Sequence, residues 1–199
     1  MHGLINRSLE CFLSDTYGND VWRDVARRAG LGFDRFESMF EYDDALTYAV
    51  LGAASETLSK SRETLLEDLG TYLVSTPKVE SLRRLLRFGG ETFLEFLHSL
   101  DDLQDRAKLA VPDLSLPNLT LSGGAETGDF RLLCEGPPKG FGWVMMGLLR
   151  TMADDYGALA ILENRGDADC CEEISITLVE SSFADGRDFD LASPIGAET

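Results

Sequence analysis

The chain has 199 residues, of which 44% are hydrophobic and 27% charged, as in a soluble globular domain of ordinary size with a sizeable core. Its formal net charge of −17 argues against a nucleic acid partner or an anionic membrane surface, because both require clustered lysine and arginine. No apolar run approaches the ~18 residues that cross a bilayer, and the first residues lack the apolar core of a signal peptide, so we expect a cytoplasmic protein.

Helical patterns dominate the first half of the chain. Capping side chains followed by apolar residues at three- and four-residue spacing mark the helix starts, and glycine marks the ends. Helices are predicted over residues 3–16, 19–30 with Asn19 as N-cap, 43–58 with Asp43 or Asp44 as N-cap, and 59–74 with Ser59 or Ser61 as N-cap. Pro77 starts a further helix, which Gly89 and Gly90 interrupt.

A central helix is predicted from Phe93 onward. Four apolar residues share one of its faces at ~100° per residue: Leu97, Leu100, Leu103 and Ala107. Gln104 lies inside this apolar arc. Because an unpaired buried amide costs roughly 1–3 kcal/mol, Gln104 either bonds to neighbouring backbone or water, or faces a ligand cavity.

The second half of the chain reads as a small antiparallel sheet that carries one helix. Strands are predicted over residues 118–121, 130–134, 158–163 and 174–179, a helix over 141–156, and a hairpin turn over 165–169. Helices followed by such a sheet indicate an α+β fold. We expect one domain over residues 1–180, helical to about residue 110 and sheet-like from about 111, and then a loose tail over 181–199.

Several motifs resemble those of a known family. The segment Phe96–Gln104 reads FLHSLDDLQ and is followed by Pro112, the chain begins MHGLIN, and residues 16–22 read TYGNDVW. These motifs resemble the H-NOX family, the heme nitric oxide and oxygen binding domains found alone in bacteria and at the start of soluble guanylate cyclase. The family's helix typically reads FLxNLDxLH, and its histidine is the axial iron ligand. In a gapless register Gln104 takes the place of that histidine.

A second part of the family's site is also changed. H-NOX members carry a Tyr-x-Ser-x-Arg motif before a Gly-Leu pair, and its side chains bind the heme propionates. The resemblance places Cys134, Gly136 and Pro138 at these three positions, and none of them can supply the same hydrogen bonds. Ile5, Leu100 and Pro117 remain as the apolar pocket wall, although each could equally be an ordinary core residue.

Two histidines and one cysteine are the other candidate iron ligands in place of the missing axial histidine. His98 points ~120° away from Gln104 around the same helix and is better explained as a surface residue. His2 could ligate from the distal side, and Cys134 could bind iron as a thiolate on the propionate side. We therefore expect no cofactor, with heme b, held by unusual ligation, as the alternative.

The sequence favours a regulatory protein over an enzyme. It contains no nucleophile with a nearby base, no phosphate-binding glycine loop and no metal-ligand cluster. The expected function is a stand-alone H-NOX-like sensor with a degenerate heme site, whose apolar pocket could take a hydrophobic molecule such as a fatty acid. By resemblance, its partner would be a histidine kinase or a cyclic-di-nucleotide enzyme. The alternatives are a heme-based gas sensor and a ligand-free interaction module whose pocket is filled by side chains, for which the candidates are Phe93, Phe130, Phe141, Trp143 and Met146.

Overall fold

The structure, a computed structural model, describes residues 1–124, 127–168 and 171–187. Helices come first and a four-stranded antiparallel sheet crossed by one helix follows, which confirms the predicted α+β class. The helices are α1 (Gly3–Tyr17), α2 (Asn19–Arg28), α3 (Asp44–Leu58), α4 (Arg62–Ser75), α5 (Glu80–Arg87), α6 (Phe93–His98), α7 (Leu103–Ala110) and α8 (Phe141–Tyr156). The strands are β1 (Asn118–Gly124), β2 (Asp129–Glu135), β3 (Leu159–Ala168) and β4 (Cys171–Glu180).

Local side-chain caps mark the starts of α3, α4 and α6. The Asp43 carboxylate accepts the Ala45 N–H at the start of α3, and the Ser61 hydroxyl accepts the Thr64 N–H at the start of α4. Thr92 and Glu95 form a capping box at the start of α6. Asn19 was predicted as the N-cap of α2, but the cap is Gly18, which leaves α2 without a side-chain cap.

The sheet has the strand order β1-β2-β4-β3, and every neighbouring pair is antiparallel. Alternate residues of β2 and β4 lie beneath α8, and Cys134 pairs with Glu172 on this covered face. Of the predicted turn over 165–169, residues 165–168 instead continue β3, while Asp169 lies outside the described residues. The two final strands nevertheless pair as a hairpin would pair them.

Two clusters of buried side chains divide the core. The N-terminal cluster is formed by α1 to α4 with the loop before α3, and includes Leu9, Phe12, Leu13, Trp22, Phe36, Val50, Leu65 and Tyr72. The sheet cluster joins α5 to α8 with the sheet, and includes Leu86, Phe93, Phe96, Leu97, Leu100, Phe130, Met145 and Ile176. The helices α5 to α7 therefore belong with the sheet in packing terms, although the sequence pattern groups them with the other helices.

The helices α4 and α8 carry the contact between the two clusters. A Cβ at Gly70 would collide with the Val144 carbonyl, and a Cβ at Gly147 would collide with the Glu67 carbonyl. Two glycines thus let the helix backbones touch, and no other residue type fits at either place.

The predicted central helix is broken. A turn of 3₁₀ helix over Ser99–Asp102 separates α6 from α7. Two contacts accompany the break: the Asp101 carboxylate accepts the N–H of Leu121 in β1 at 2.7 Å, and Arg106 of α7 donates to the Ser99 carbonyl at 2.7 Å. The angles between side chains predicted for one continuous helix, at ~100° per residue, therefore do not hold across residues 99–102. The predicted apolar stripe is nevertheless buried as expected.

The segment after β4 returns to the end of α8. Phe183 and Ala184 both donate backbone N–H bonds to the Gly157 carbonyl, and Arg187 donates to the Asp155 carbonyl. The remainder of the expected tail, 188–199, lies outside the described residues. Within the described part of the chain, no helix combines the length and apolarity needed to cross a membrane.

Candidate functional site

Gln104 lies in the first turn of α7 and is half-buried. Its Nε2 donates to the carbonyl oxygen of Leu116, in the loop before β1, at 2.8 Å. This is one of the two alternatives the sequence left open, a partner from the neighbouring backbone. The side chain thus ties α7 to the following loop, and a neutral amide engaged in this way is a poor ligand for iron.

The three pocket-wall residues come from different parts of the fold. Leu100 is fully buried in the sheet cluster, and Pro117 is buried at the start of β1. Ile5 is half-buried on α1, the helix that contributes Leu9 to the N-terminal cluster.

The three propionate-motif positions offer almost no hydrogen-bond donors. Cys134 is buried in β2, and burial, together with the negative charge of Glu172, raises the pKa of its thiol to about 12. Gly136 is exposed, with a φ of 102° and no side chain. Pro138 is half-buried and has no N–H group. Only a weakly donating thiol is left where three strong donors would be needed.

A carboxylate that sequence reasoning missed occupies this part of the molecule. The two oxygens of Glu172 accept the backbone N–H groups of Gly140 and Gly142 at the start of α8. Gly140, the N-cap of α8, provides no side-chain cap, so Glu172 supplies it from β4. One signal was available in the sequence, since Glu172 shares the inward alternation of Ile174 and Ile176.

The two histidines differ in burial and in their contacts. His2 is buried, and its Nδ1 accepts the Leu4 N–H as the N-cap of α1. His98 is exposed, with its ring edge-on to Phe130 at 6.1 Å between centroids. Among the described residues, no three histidine, cysteine, aspartate or glutamate side chains come together in a group that could hold a metal ion.

Comparison with known proteins places the chain in a family. A family model described as Haem-NO-binding matches residues 2–161, which is most of the chain. The chain belongs to the H-NOX family. The resemblance noted in the motifs is thereby confirmed, and H-NOX domains are sensor domains.

Curated relatives of this H-NOX chain include soluble guanylate cyclases. It is 23% identical over 155 residues to soluble guanylate cyclase gcy-31 of Caenorhabditis elegans, covering 78% of this chain and 22% of that protein. It is 22% identical over 161 residues to soluble guanylate cyclase 89Da of Drosophila melanogaster, covering 81% of this chain and 24% of that protein. The chain thus spans about a quarter of the length of these relatives, and only the sensor part is matched.

Solved H-NOX structures share the fold. A Fe(II) unliganded H-NOX protein mutant from K. algicida has a TM-score of 0.77 at 16% identity, covering 90% of this chain and 97% of that one. An oxygen-binding H-NOX domain related to soluble guanylate cyclases, solved as its oxygen complex, has a TM-score of 0.70 at 19% identity, covering 94% and 100%. At such identities the likeness extends to the fold alone.

The five bulky side chains predicted as fillers lie in or against the sheet cluster. Phe93, Phe130 and Met146 are buried in the same cluster as Leu100. Phe141 and Trp143 are half-buried and pack against that cluster. All five side chains that the sequence offered as fillers therefore contact the sheet cluster.

A groove of about 650 Å³ lies elsewhere, on the face of the sheet opposite α8. Its lining is mixed in charge and includes Arg131, Glu163, Arg165, Ser175 and Thr177. None of the seven predicted site residues lines this groove, although Phe130, one of the predicted fillers, does.

Proposed function

We propose that this chain is a cytoplasmic regulatory H-NOX domain that works without heme and signals by contact with a partner protein. The observation that carries the proposal is the chemistry of the former heme contacts. The Gln104 amide donates a hydrogen bond to the Leu116 carbonyl, and Glu172 places a carboxylate beside the positions that would bind propionates. The residues present at these positions do not fit heme.

The energetic argument supports the same conclusion. An H-NOX domain with this residue set would keep the apolar burial of a porphyrin but lose an iron–imidazole bond and several charge-assisted hydrogen bonds, each worth roughly 1.5–3 kcal/mol. It would also bring propionates close to the Glu172 carboxylate. The lost bonds and the repulsion between Glu172 and the propionates together favour the heme-free state.

Signalling would operate as a shift between arrangements of the two clusters. The N-terminal cluster and the sheet cluster meet along α4 and α8, where Gly70 and Gly147 let the backbones touch. A partner that binds one arrangement more tightly than another shifts the population toward it. By family resemblance the partner is a histidine kinase or a cyclic-di-nucleotide enzyme, and the cyclase relatives suggest a guanylate cyclase as a further type.

Reconstitution with hemin tests the proposal. The purified protein is incubated with hemin, desalted, reduced and exposed to nitric oxide, with a heme-binding H-NOX domain treated in parallel. We expect free-hemin absorption that is removed by desalting. A sharp, stoichiometric Soret band that shifts with nitric oxide would instead establish the heme sensor, with His2 or Cys134 as the ligand to test next.

A second candidate function is a ligand-free interaction module, which the packing of Phe93, Phe130 and Met146 in the sheet cluster favours. The contrasting possibility is a pocket that holds an apolar small molecule, for example a fatty acid. Native mass spectrometry of the protein as purified separates the two. A discrete added mass that is released by organic extraction supports the small-molecule function, and a bare chain supports the interaction module.

A further inference from the structure

The proposed function uses the Glu172 carboxylate as a neighbour of the propionate-motif positions, and its hydrogen bonds also bear on the class of ligand that this part of the molecule can take. It extends from β4 on the covered face of the sheet, opposite Cys134. Both oxygens are used, one by the Gly140 N–H and one by the Gly142 N–H. It therefore occupies the first N–H groups of α8 from inside the chain.

Such N–H groups are otherwise an anion site. The first backbone N–H groups of a helix have no partner within the helix, and the helix dipole adds positive potential there. The start of α8 follows directly on Gly136 and Pro138, the positions at which the family's motif binds propionates. A ligand carboxylate directed to this end would meet Glu172 and find the N–H groups already taken.

The fit around Glu172 is close. A Cβ at Gly142 would collide with the Glu172 carboxylate, so glycine is required for this approach. The charge of Glu172 also contributes to the raised pKa of the Cys134 thiol, which places the carboxylate within electrostatic reach of the motif.

We propose that Glu172 is a specificity-determining residue that makes this site reject ligands carrying a carboxylate at the α8 end. The inference rests on the proposed function and deepens it, because it names the ligand class. Heme, and a fatty acid entering with its carboxylate toward α8, are thereby excluded.

Matched variants of two adjacent glutamates provide the test. Glu172→Gln and Glu173→Gln each remove one negative charge from β4, but Glu173 lies on the opposite face and pairs with Arg131 at 3.9 Å. Both changes are made in the wild type and in a Gln104→His background, which restores an imidazole. Hemin affinity is measured by quenching of tryptophan fluorescence, and helix content by circular dichroism.

We expect Gln104→His/Glu172→Gln to bind hemin roughly tenfold more tightly than Gln104→His, because a like charge has been removed and one of the two N–H groups has lost its acceptor. Gln104→His/Glu173→Gln should stay within twofold of Gln104→His. Glu172→Asp, which keeps the charge, should bind no more tightly than the wild type.

Equal affinities for the Glu172 and Glu173 variants, or no hemin binding by any of them, would overturn the inference. If Glu172→Gln loses its helix content, Glu172→Ala in the same background must show the gain instead. The proposed function fails separately, because it is contradicted only if the wild-type chain takes up hemin stoichiometrically.

Discussion

The Gln104 side chain binds the chain's own backbone from the apolar face of α7. An imidazole at this position would present a nitrogen lone pair to a metal, whereas the amide donates its N–H to Leu116 and so stabilises the chain's own loop. The same is true at the start of α8, where Glu172 satisfies N–H groups that a ligand could have used. In both places the polar side chain forms its hydrogen bonds within the protein.

Gln104→Leu tests the structural role of the amide. The change leaves the Leu116 carbonyl without its donor, so we expect the free energy of unfolding to fall by about 1 kcal/mol. Urea denaturation followed by circular dichroism measures it. Leu109→Ala, in the same helix at an 87% exposed position, is the control and should change stability by less than about 0.5 kcal/mol. An unchanged urea midpoint for Gln104→Leu would show that the hydrogen bond from Gln104 to Leu116 does not stabilise the fold.

Cys134 offers a test that depends on pH. Burial raises the pKa of this thiol to about 12, so the folded protein holds the proton that an unfolded chain releases near pH 8.5. Between these values the unfolded state binds fewer protons, and Cys134 therefore lowers stability as the pH rises through this window. We expect iodoacetamide to leave Cys134 unmodified at pH 8.5 in the folded protein and to modify it in urea, as read by peptide mass spectrometry. Labelling of Cys134 without unfolding would contradict the burial.

Among the elements, those with local signals were predictable. The bounds of α8 were correct because the apolar run ends at Gly157, and those of α3 and α4 were nearly so because Asp43 and Ser61 cap them. The break at Ser99–Asp102 was not predictable, because it depends on a bond from Asp101 to a strand about twenty residues later. Glu172 was missed for the same physical reason, since its partners lie thirty residues earlier in the chain.

The contact of α4 with α8 predicts a large effect from a small substitution. Gly147→Ala would drive a methyl group into the Glu67 carbonyl, and such overpacking typically costs about 1–3 kcal/mol. Gly32→Ala, which would meet nothing within 4 Å, is the matched control. Thermal unfolding of both variants decides the question, and equal melting temperatures would show that the helices are not held at backbone contact.

Across the whole molecule, Asp155 links elements that are distant in sequence. It is almost completely buried at the end of α8, and its carboxylate pairs with Arg83 of α5 at 2.5 Å and with Arg187 of the final segment at 3.5 Å. The neighbouring Tyr156 ring lies beneath the Arg87 guanidinium and beside Phe93 and Phe96. The segment 181–187 is thus tied, through one corner of α8, to α5 and α6.

Arg83→Gln tests this link without touching the final segment. Removing one partner of a buried ion pair leaves the Asp155 charge only partly compensated and destabilises this corner of α8, so residues 181–187, which dock there, should be held less firmly. We expect faster amide hydrogen exchange at Phe183, Ala184 and Arg187, whose N–H groups bond to Gly157 and Asp155. Arg84→Gln, one residue along α5 and paired with Glu80, should leave exchange unchanged. Equal exchange in the two variants would show that the final segment is held independently of α5.

The heme content of the protein produced in heme-replete cells is the direct test of whether this H-NOX domain works without heme. Purified protein is assayed by the pyridine hemochrome method and for iron, beside a heme-binding H-NOX domain expressed in the same way. We expect a folded chain with substoichiometric heme and iron. A stoichiometric complex in the purified protein would contradict it.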